Sequence, residues 1–419
     1  MRLSADERAV LSGEVGSEGA RMAMEMVADA GAMLGANCLV EISSAHIDGC
    51  LYHGASGTLY CERLAERGAG VSVPATTNVG ALNLLNPNQS RLSGEARQMA
   101  YRLMVAHEKM GCLPSWTCAP YQAGARPSLG QQVAWGESNA VAFANTVLGA
   151  RTNRYGDFLD ICCAIAGRAP HYGLHKSENR FAEIVFDVGL LPASIVSSKI
   201  FYPVLGTLVG RLAGSSVCAV SGLKGTPSED DLKAFCAAGA SSGAVALTHL
   251  VGITPEAADL ETSLGSKKPY TTIKVDAGMM QQARDSLSKV ADDGVDSIAL
   301  GSPHFSADEC HNVLKLAKGR TFKVPVYICT GRHTMDILRR DGTDRDLEAL
   351  GVIFVVDTCV VVAPVLPTQV GTLMTNSAKF AHYALGNTGH VPIFGSLEEC
   401  VQSAQTGRYA KGDAWGHAR

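Results

Sequence analysis

Between residues 217 and 356 short apolar runs alternate with helix-like stretches, and that rhythm restricts the fold of this chain more than any other feature it carries. Strands are expected at 183–187, 217–220, 244–247, 272–275, 297–300, 324–328 and 352–356, with an earlier one at 39–42. Helices are expected between several of them, at 228–237, 281–290 and 306–317, the last opened by the capping box Ser306 and Glu309. Strand, loop and helix in regular succession specify parallel sheets flanked by helices, so the expected fold is multi-layer α/β. Near the start, Ser4 with Glu7 forms a capping box, and Ser17 caps a methionine-rich second helix that ends near Gly35. No proline-rich or serine-rich linker interrupts the pattern; the best division lies between an N-terminal α/β region, 1–200, and a C-terminal one, 201–419, where the regular alternation begins.

Composition narrows the function. The chain is 46% hydrophobic and 18% charged, with a formal charge of -4, which gives ample core and no basic block interleaved with aromatics. Nucleic acid is therefore not an expected partner. The N-terminal MRLSADERAVL lacks a basic region followed by an apolar run, and no stretch approaches the ~20 apolar residues that span a bilayer. A cytoplasmic location without membrane attachment is expected. Thirteen cysteines, an odd number, then read as free thiols rather than a disulfide framework. Cys162 and Cys163 in LDICCAIAG fit a helical core, and Cys218, Cys236, Cys310 and Cys400 also read as structural.

Three other cysteines differ. Cys118, Cys329 and Cys359 sit in SWTCAPYQ, VYICTGRH and FVVDTCVVVAP, beside small residues and prolines where a strand or helix ends. Thiolates so placed are what an iron-sulfur cluster requires of a globular enzyme. The first half also holds polar, glycine-rich strings, SSAHIDGCLYHGASG, VPATTNVGALN and AWGESNAVAFANTVLGARTNR, which fit the walls of a small polar site at strand ends. His46, His249 and His304 titrate in a useful range, yet a lone histidine at a strand end is more often simply hydrogen-bonded, and none is assigned as the base. No GxGxxG follows a strand, and the glycines of VLGTLVGRLAGSS are spaced for a helix or its end, which weakens a nucleotide-dependent oxidoreductase.

Over nearly its whole length the chain resembles aconitase X, the large subunit or catalytic portion of a divergent branch of the aconitase superfamily. The segments that carry the resemblance are LSADERAVLSGEVG, SSAHIDGCLYHG, CAPY, AWGESNAVAFANTVLGARTNR, HLVGITPEA, SPHFS, DTCVVVAP, SAKFAHY and FGSLEEC. The resemblance implies an aconitase-like architecture that lacks the mobile swivel domain, and an iron-sulfur hydro-lyase acting on a small hydroxy acid: cis-3-hydroxy-L-proline in many bacteria, phosphomevalonate in archaea. It makes Cys118 and Cys359 cluster ligands and sets Glu137 and Ser138 beside the cluster. Gly49, Cys50, Leu51, Asn78 and Val79 fall in segments that hold substrate, and Lys379 matches a substrate-site lysine that serves the reaction.

One position departs from that pattern. Where archaeal relatives read LGCPH this chain reads LGSPH, with Ser302 in the ligand slot. A neutral hydroxyl is a far poorer iron ligand than a thiolate, so Cys329 becomes the alternative third ligand, and the cluster is expected as 2Fe-2S or 4Fe-4S. The resemblance leaves the catalytic serine to a small swivel-domain partner subunit. Asp48 and the absence of a basic cluster favour a zwitterionic amino acid over a phosphorylated acid. Phosphomevalonate dehydration and a non-catalytic iron-sulfur scaffold are the competing readings.

Overall fold

Met1–Leu82 and Leu92–Phe181 form one unit, and Asn83–Arg91 and Ala182–Arg419 the other, in the computed structural model, which describes residues 1–289, 293–412 and 415. In unit 1, β1 (Leu39–Glu41) pairs antiparallel with β5 (Arg168–Pro170), while β2 (Ala45–Ile47), β3 (Ala75–Thr77) and β4 (Ala134–Trp135) form a parallel sheet of order β3-β2-β4. Registers such as His46 opposite Thr76 and Trp135 bring the three following loops out at one edge. Helices Glu18–Met33, Ala55–Glu66, Gly94–Lys109 and Leu159–Ala166 contribute apolar faces to a core of Val27, Ile47, Leu64, Leu103 and Ile161.

Unit 2 carries two parallel sheets. One has the order β8-β7-β6-β9, with β6 at Ile184–Asp187, β7 at Cys218–Ser221, β8 at Thr248–Leu250 and β9 at Thr271–Lys274. The other runs β12-β11-β10-β13-β14: β10 spans Ser297–Phe305, β11 Val326–Thr330, β12 Val352–Val356, β13 Thr372–Thr375 and β14 Val391–Phe394. All nine residues of β10 and all five of β11 are buried, as central strands of a parallel sheet should be. The capping boxes expected at Ser4 with Glu7 and Ser306 with Glu309 both form.

The multi-layer α/β expectation holds, with local corrections. The expected strand 244–247 is displaced: its Val245 and Leu247 are buried, but the ladder begins at Thr248, paired with Cys218. An apolar run satisfies burial without joining a sheet, and the pairing chose the next residues. The expected helix 281–290 instead spans Ala277–Asp285, opened by Asp276, whose side chain accepts from the Met279 amide; Val290 lies outside the described residues. Cys162 and Cys163 are buried in Leu159–Ala166, as expected of core thiols.

Candidate active site

Unit 1 gathers its polar strings at the edge where β2, β3 and β4 end. Asp160, fully buried, accepts the backbone N–H groups of Asp48 at 2.6 Å, Gly49 at 3.1 Å and Ile161 at 2.7 Å. One carboxylate thereby ties the 48–51 turn to a helix start. Burial pushes the Asp160 carboxyl up to about 6, against the pull of those amides. Beside it stands Asp48, whose carboxylate accepts the Asn78 side-chain amide. Burial first, then the nearby Glu137 and Asp160, pushes Asp48 up to about 7.

Gly49, Cys50, Leu51, Asn78 and Val79 do come together. The Cys50 thiol lies 3.2 Å from the Asn78 carbonyl and 3.8 Å from that of Val79, and burial holds it well above the usual thiol range, as a neutral donor. Gly136 is required where these loops meet: a Cβ there would lie 2.8 Å from Asp160 Oδ2 and 3.0 Å from Asp48 Cβ. Glu137 and Ser138 follow at once. Glu137 caps the helix Ser138–Phe143 by accepting the Ala140 amide at 2.6 Å, and the Ser138 hydroxyl donates to its other oxygen at 3.4 Å. Asn139 ties Cys118 to the same place, donating to the Cys118 carbonyl at 3.0 Å. His46 is fully buried, its Nδ1 2.8 Å from the Thr76 hydroxyl; desolvation lowers it to about 4, which leaves it neutral.

Unit 2 assembles Ser302, Cys329, Cys359 and Lys379. Cys359 follows β12, Cys329 lies on β11 and Ser302 on β10. A hydrogen bond from Cys329 lowers the Cys359 thiol to about 7, with further help from the Val361 amide, the Lys379 charge and the Ser302 hydroxyl, all against the cost of burial. The Cys329 sulfur itself accepts the Val360 N–H at 3.4 Å. Gly301 makes the approach possible: its φ is +89°, and a Cβ there would lie 2.0 Å from the Cys329 carbonyl oxygen. Lys379 occupies the first turn of the helix Ala378–Thr388, whose cap Ser377 also donates to the Ser302 carbonyl. A cation at the positive end of a helix dipole is unfavourable alone and concentrates positive potential for an anion. Within each unit, among the described residues, no three His, Cys, Asp or Glu side chains gather closely enough to hold a metal ion by themselves.

Sequence reasoning missed several contributors. Asp160 was concealed in LDICCAIAG, where a lone carboxylate in an apolar run was the available signal. Asp357, fully buried at φ 65°, accepts both Arg332 Nε at 2.6 Å and Arg332 NH2 at 2.8 Å, and it takes the Leu84 amide at 3.2 Å. A non-glycine residue in that conformation two positions before Cys359 marks strain held by surrounding bonds. Lys233, also buried, bonds Glu309 at 2.6 Å, Asp230 at 2.8 Å and the His304 carbonyl at 3.1 Å, and His304 Nε2 lies 3.1 Å from the Thr358 carbonyl. This network fixes the 302–305 segment and the residue before Cys359.

Comparison with known proteins identifies the family. The chain matches the Aconitase X first domain over residues 1–178, the second domain over 182–285 and the third domain over 295–406. It is 40% identical to the cis-3-hydroxy-L-proline dehydratase of Hypocrea jecorina, over 98% of this chain and 69% of that one, and 40% identical to that of Pseudomonas aeruginosa, over 99% and 72%. The phosphomevalonate dehydratase large subunit of Methanothermobacter thermautotrophicus is 39% identical over 92% of this chain and 94% of its own. The crystal structure of holo aconitase X from Thermococcus kodakaraensis superposes with a TM-score of 0.86 at 32% identity, covering 96% of this chain and all of that one. Among the described residues no helix is long and apolar enough to cross a membrane. With the fold, the domain order and near full-length identity in agreement, the chain belongs to the aconitase X family and is a hydro-lyase.

Proposed function

We propose that this chain is the large subunit of an iron-sulfur hydro-lyase that removes water from cis-3-hydroxy-L-proline to give a pyrroline-2-carboxylate. The observation that carries the choice of substrate is the acidity of the 48–51 turn. Asp48, with Asp160 and Glu137 close by, offers an ammonium group a counter-charge and repels a phosphate. The dehydratases of Hypocrea jecorina and Pseudomonas aeruginosa, named for that amino acid, support the reading.

The unit 2 donors fit an iron-sulfur group. A sulfur with thiolate character at neutral pH, beside a second sulfur and a lysine, is the soft, charge-balanced set such clusters take. In this reading Cys329 and Cys359, with Cys118, are the ligands, Cys329 supplying the third sulfur, and Ser302 contributes a hydrogen bond to Cys359. The cluster, when bound, supplies Lewis acidity to the departing hydroxyl.

The remaining work belongs to the polypeptide. Lys379 holds the substrate carboxylate, strengthened by its place in the first turn of its helix. The 49–51 turn and Asn78 border the ring, and Glu137 with Ser138 orients the hydroxyl-bearing edge. A deprotonated serine of a small partner subunit takes the C2 proton, and the C2–C3 double bond forms as the C3–O bond breaks. The expelled hydroxide takes that proton and leaves as water, and the enamine product tautomerises to the cyclic imine. The partner assignment is supported by the name of the archaeal relative, a large subunit matched over 94% of its length. To test the function, the anaerobically reconstituted chain with its small subunit is given cis-3-hydroxy-L-proline or phosphomevalonate, and proton NMR follows each. Loss of the C3 proton signal of hydroxyproline supports the proposal; turnover of phosphomevalonate alone rejects it.

A further inference from the structure

We propose that Asp48 and the side-chain carbonyl of Asn78 form a two-acceptor subsite for a protonated secondary amine, and that this pair selects imino acids over hydroxy acids without nitrogen. The inference rests on the reading above that the substrate is a cyclic amino acid. Its basis is a count of donors and acceptors in unit 1.

Asp160 is largely committed, because its two oxygens already accept three backbone amides that hold the 48–51 turn and the helix start. Asp48 is different. Its carboxylate accepts the Asn78 amide, and among the described residues it forms no ion pair. Asn78 is 3% exposed, and its backbone is held by an N–H bond to the Ile47 carbonyl at 2.8 Å and by the Cys50 thiol on its own carbonyl. Its side-chain nitrogen is committed to Asp48, while its side-chain oxygen is buried with no partner. A buried amide oxygen left unmet is costly, so native structures rarely keep one without a ligand or water to fill it.

The chemistry that satisfies both atoms is specific. A ring ammonium carries two N–H bonds, one for the charged carboxylate and one for the neutral amide oxygen. The other charges around Asp48 are those of Glu137, Asp160 and Asp157, all negative, and the neighbouring His46 is neutral above about pH 4. A ligand with an ether oxygen in place of the ring nitrogen brings two further lone pairs to these acceptors and no donor. Phosphate brings like charge.

Calorimetric titration of the full chain, with its cluster reconstituted, compares L-proline with tetrahydrofuran-2-carboxylate. A charge-assisted pair of hydrogen bonds predicts that wild-type protein prefers L-proline by roughly tenfold to a hundredfold. Asp48→Asn, nearly isosteric and still able to accept from Asn78, is expected to abolish that preference and leave the ether analogue unaffected. Equal affinities on wild type, no binding of L-proline to it, or a preference retained by Asp48→Asn overturns the subsite. A protein that dehydrates hydroxyproline but fails this test keeps the proposed function and loses the subsite; one that passes but dehydrates nothing does the reverse.

Discussion

Replacing Asp48 by asparagine is expected to stabilise unit 1 at pH 8 while it removes affinity for the substrate. A carboxyl held at about 7 rather than 3.8 is one that the fold prefers protonated. At ~1.4 kcal/mol per decade that preference is about 4 kcal/mol for a site closed to water, and partial exposure of Asp48 reduces it to about 1–2 kcal/mol. The sign follows from linkage. Where a carboxyl is raised on folding, stability is fullest below the unfolded value and is lost as the pH climbs from about 4 through about 7. Asparagine has no charge to lose, so its advantage over aspartate is complete at pH 8 and falls to under half at about pH 5. Urea unfolding read by tryptophan fluorescence measures this, because Trp116 and Trp135 are fully buried in unit 1 and Trp415→Phe removes the third tryptophan. A variant less stable than wild type at pH 8, or a difference independent of pH, would refute the argument that Asp48 is held ionised against the preference of the fold.

Other consequences follow from unit 2. Gly301→Ala is expected to lower iron content and melting temperature together, since its Cβ would meet the Cys329 carbonyl at 2.0 Å and the left-handed backbone alone costs ~1–2 kcal/mol; iron assay and thermal unfolding check it. In the iron-free chain, iodoacetamide at pH 7 is expected to label Cys359 ahead of Cys112, Cys162 and Cys218, because its neighbours lower it to about 7 whereas burial pushes those three up to about 12; peptide mass spectrometry reads the order. Lys233→Met leaves Asp230 and Glu309 buried without their cation and is expected to cost about 3–5 kcal/mol in thermal unfolding, with partial recovery in the double variant that also carries Glu309→Gln.

The α/β class was legible because β10, β11 and β12 are apolar runs long enough to show, punctuated by the Ser306 and Glu309 capping box. Unit 1 was harder to read. Its strands β2, β3 and β4 have two or three residues each, built from Ala, His, Ile, Thr and Trp, too short to display a period of two. Their loops were nonetheless visible as polar strings, because ligand-facing chain must be polar where core would be apolar. The placement of 83–91 in unit 2 had no local signal. It depends on non-local bonds, Leu84 N–H to Asp357, Gln89 to the Phe354 carbonyl and Arg91 to the Val365 carbonyl, each more than 260 residues distant. Cys329, Cys359, Ser302 and Lys379 could be named from motifs, but the hydrogen bond that makes Cys359 acidic required the folded sheet.

The central claim is that this chain dehydrates a cyclic 3-hydroxy amino acid with the help of sulfur-bound iron. Its most direct test is the rate of imine formation from cis-3-hydroxy-L-proline by the reconstituted chain and its small subunit, compared between wild type and Cys359→Ala. The account predicts turnover by wild type that disappears, together with the visible cluster absorbance, in the variant. Turnover that survives Cys359→Ala, or a wild-type protein that holds its cluster and leaves hydroxyproline intact, would contradict it.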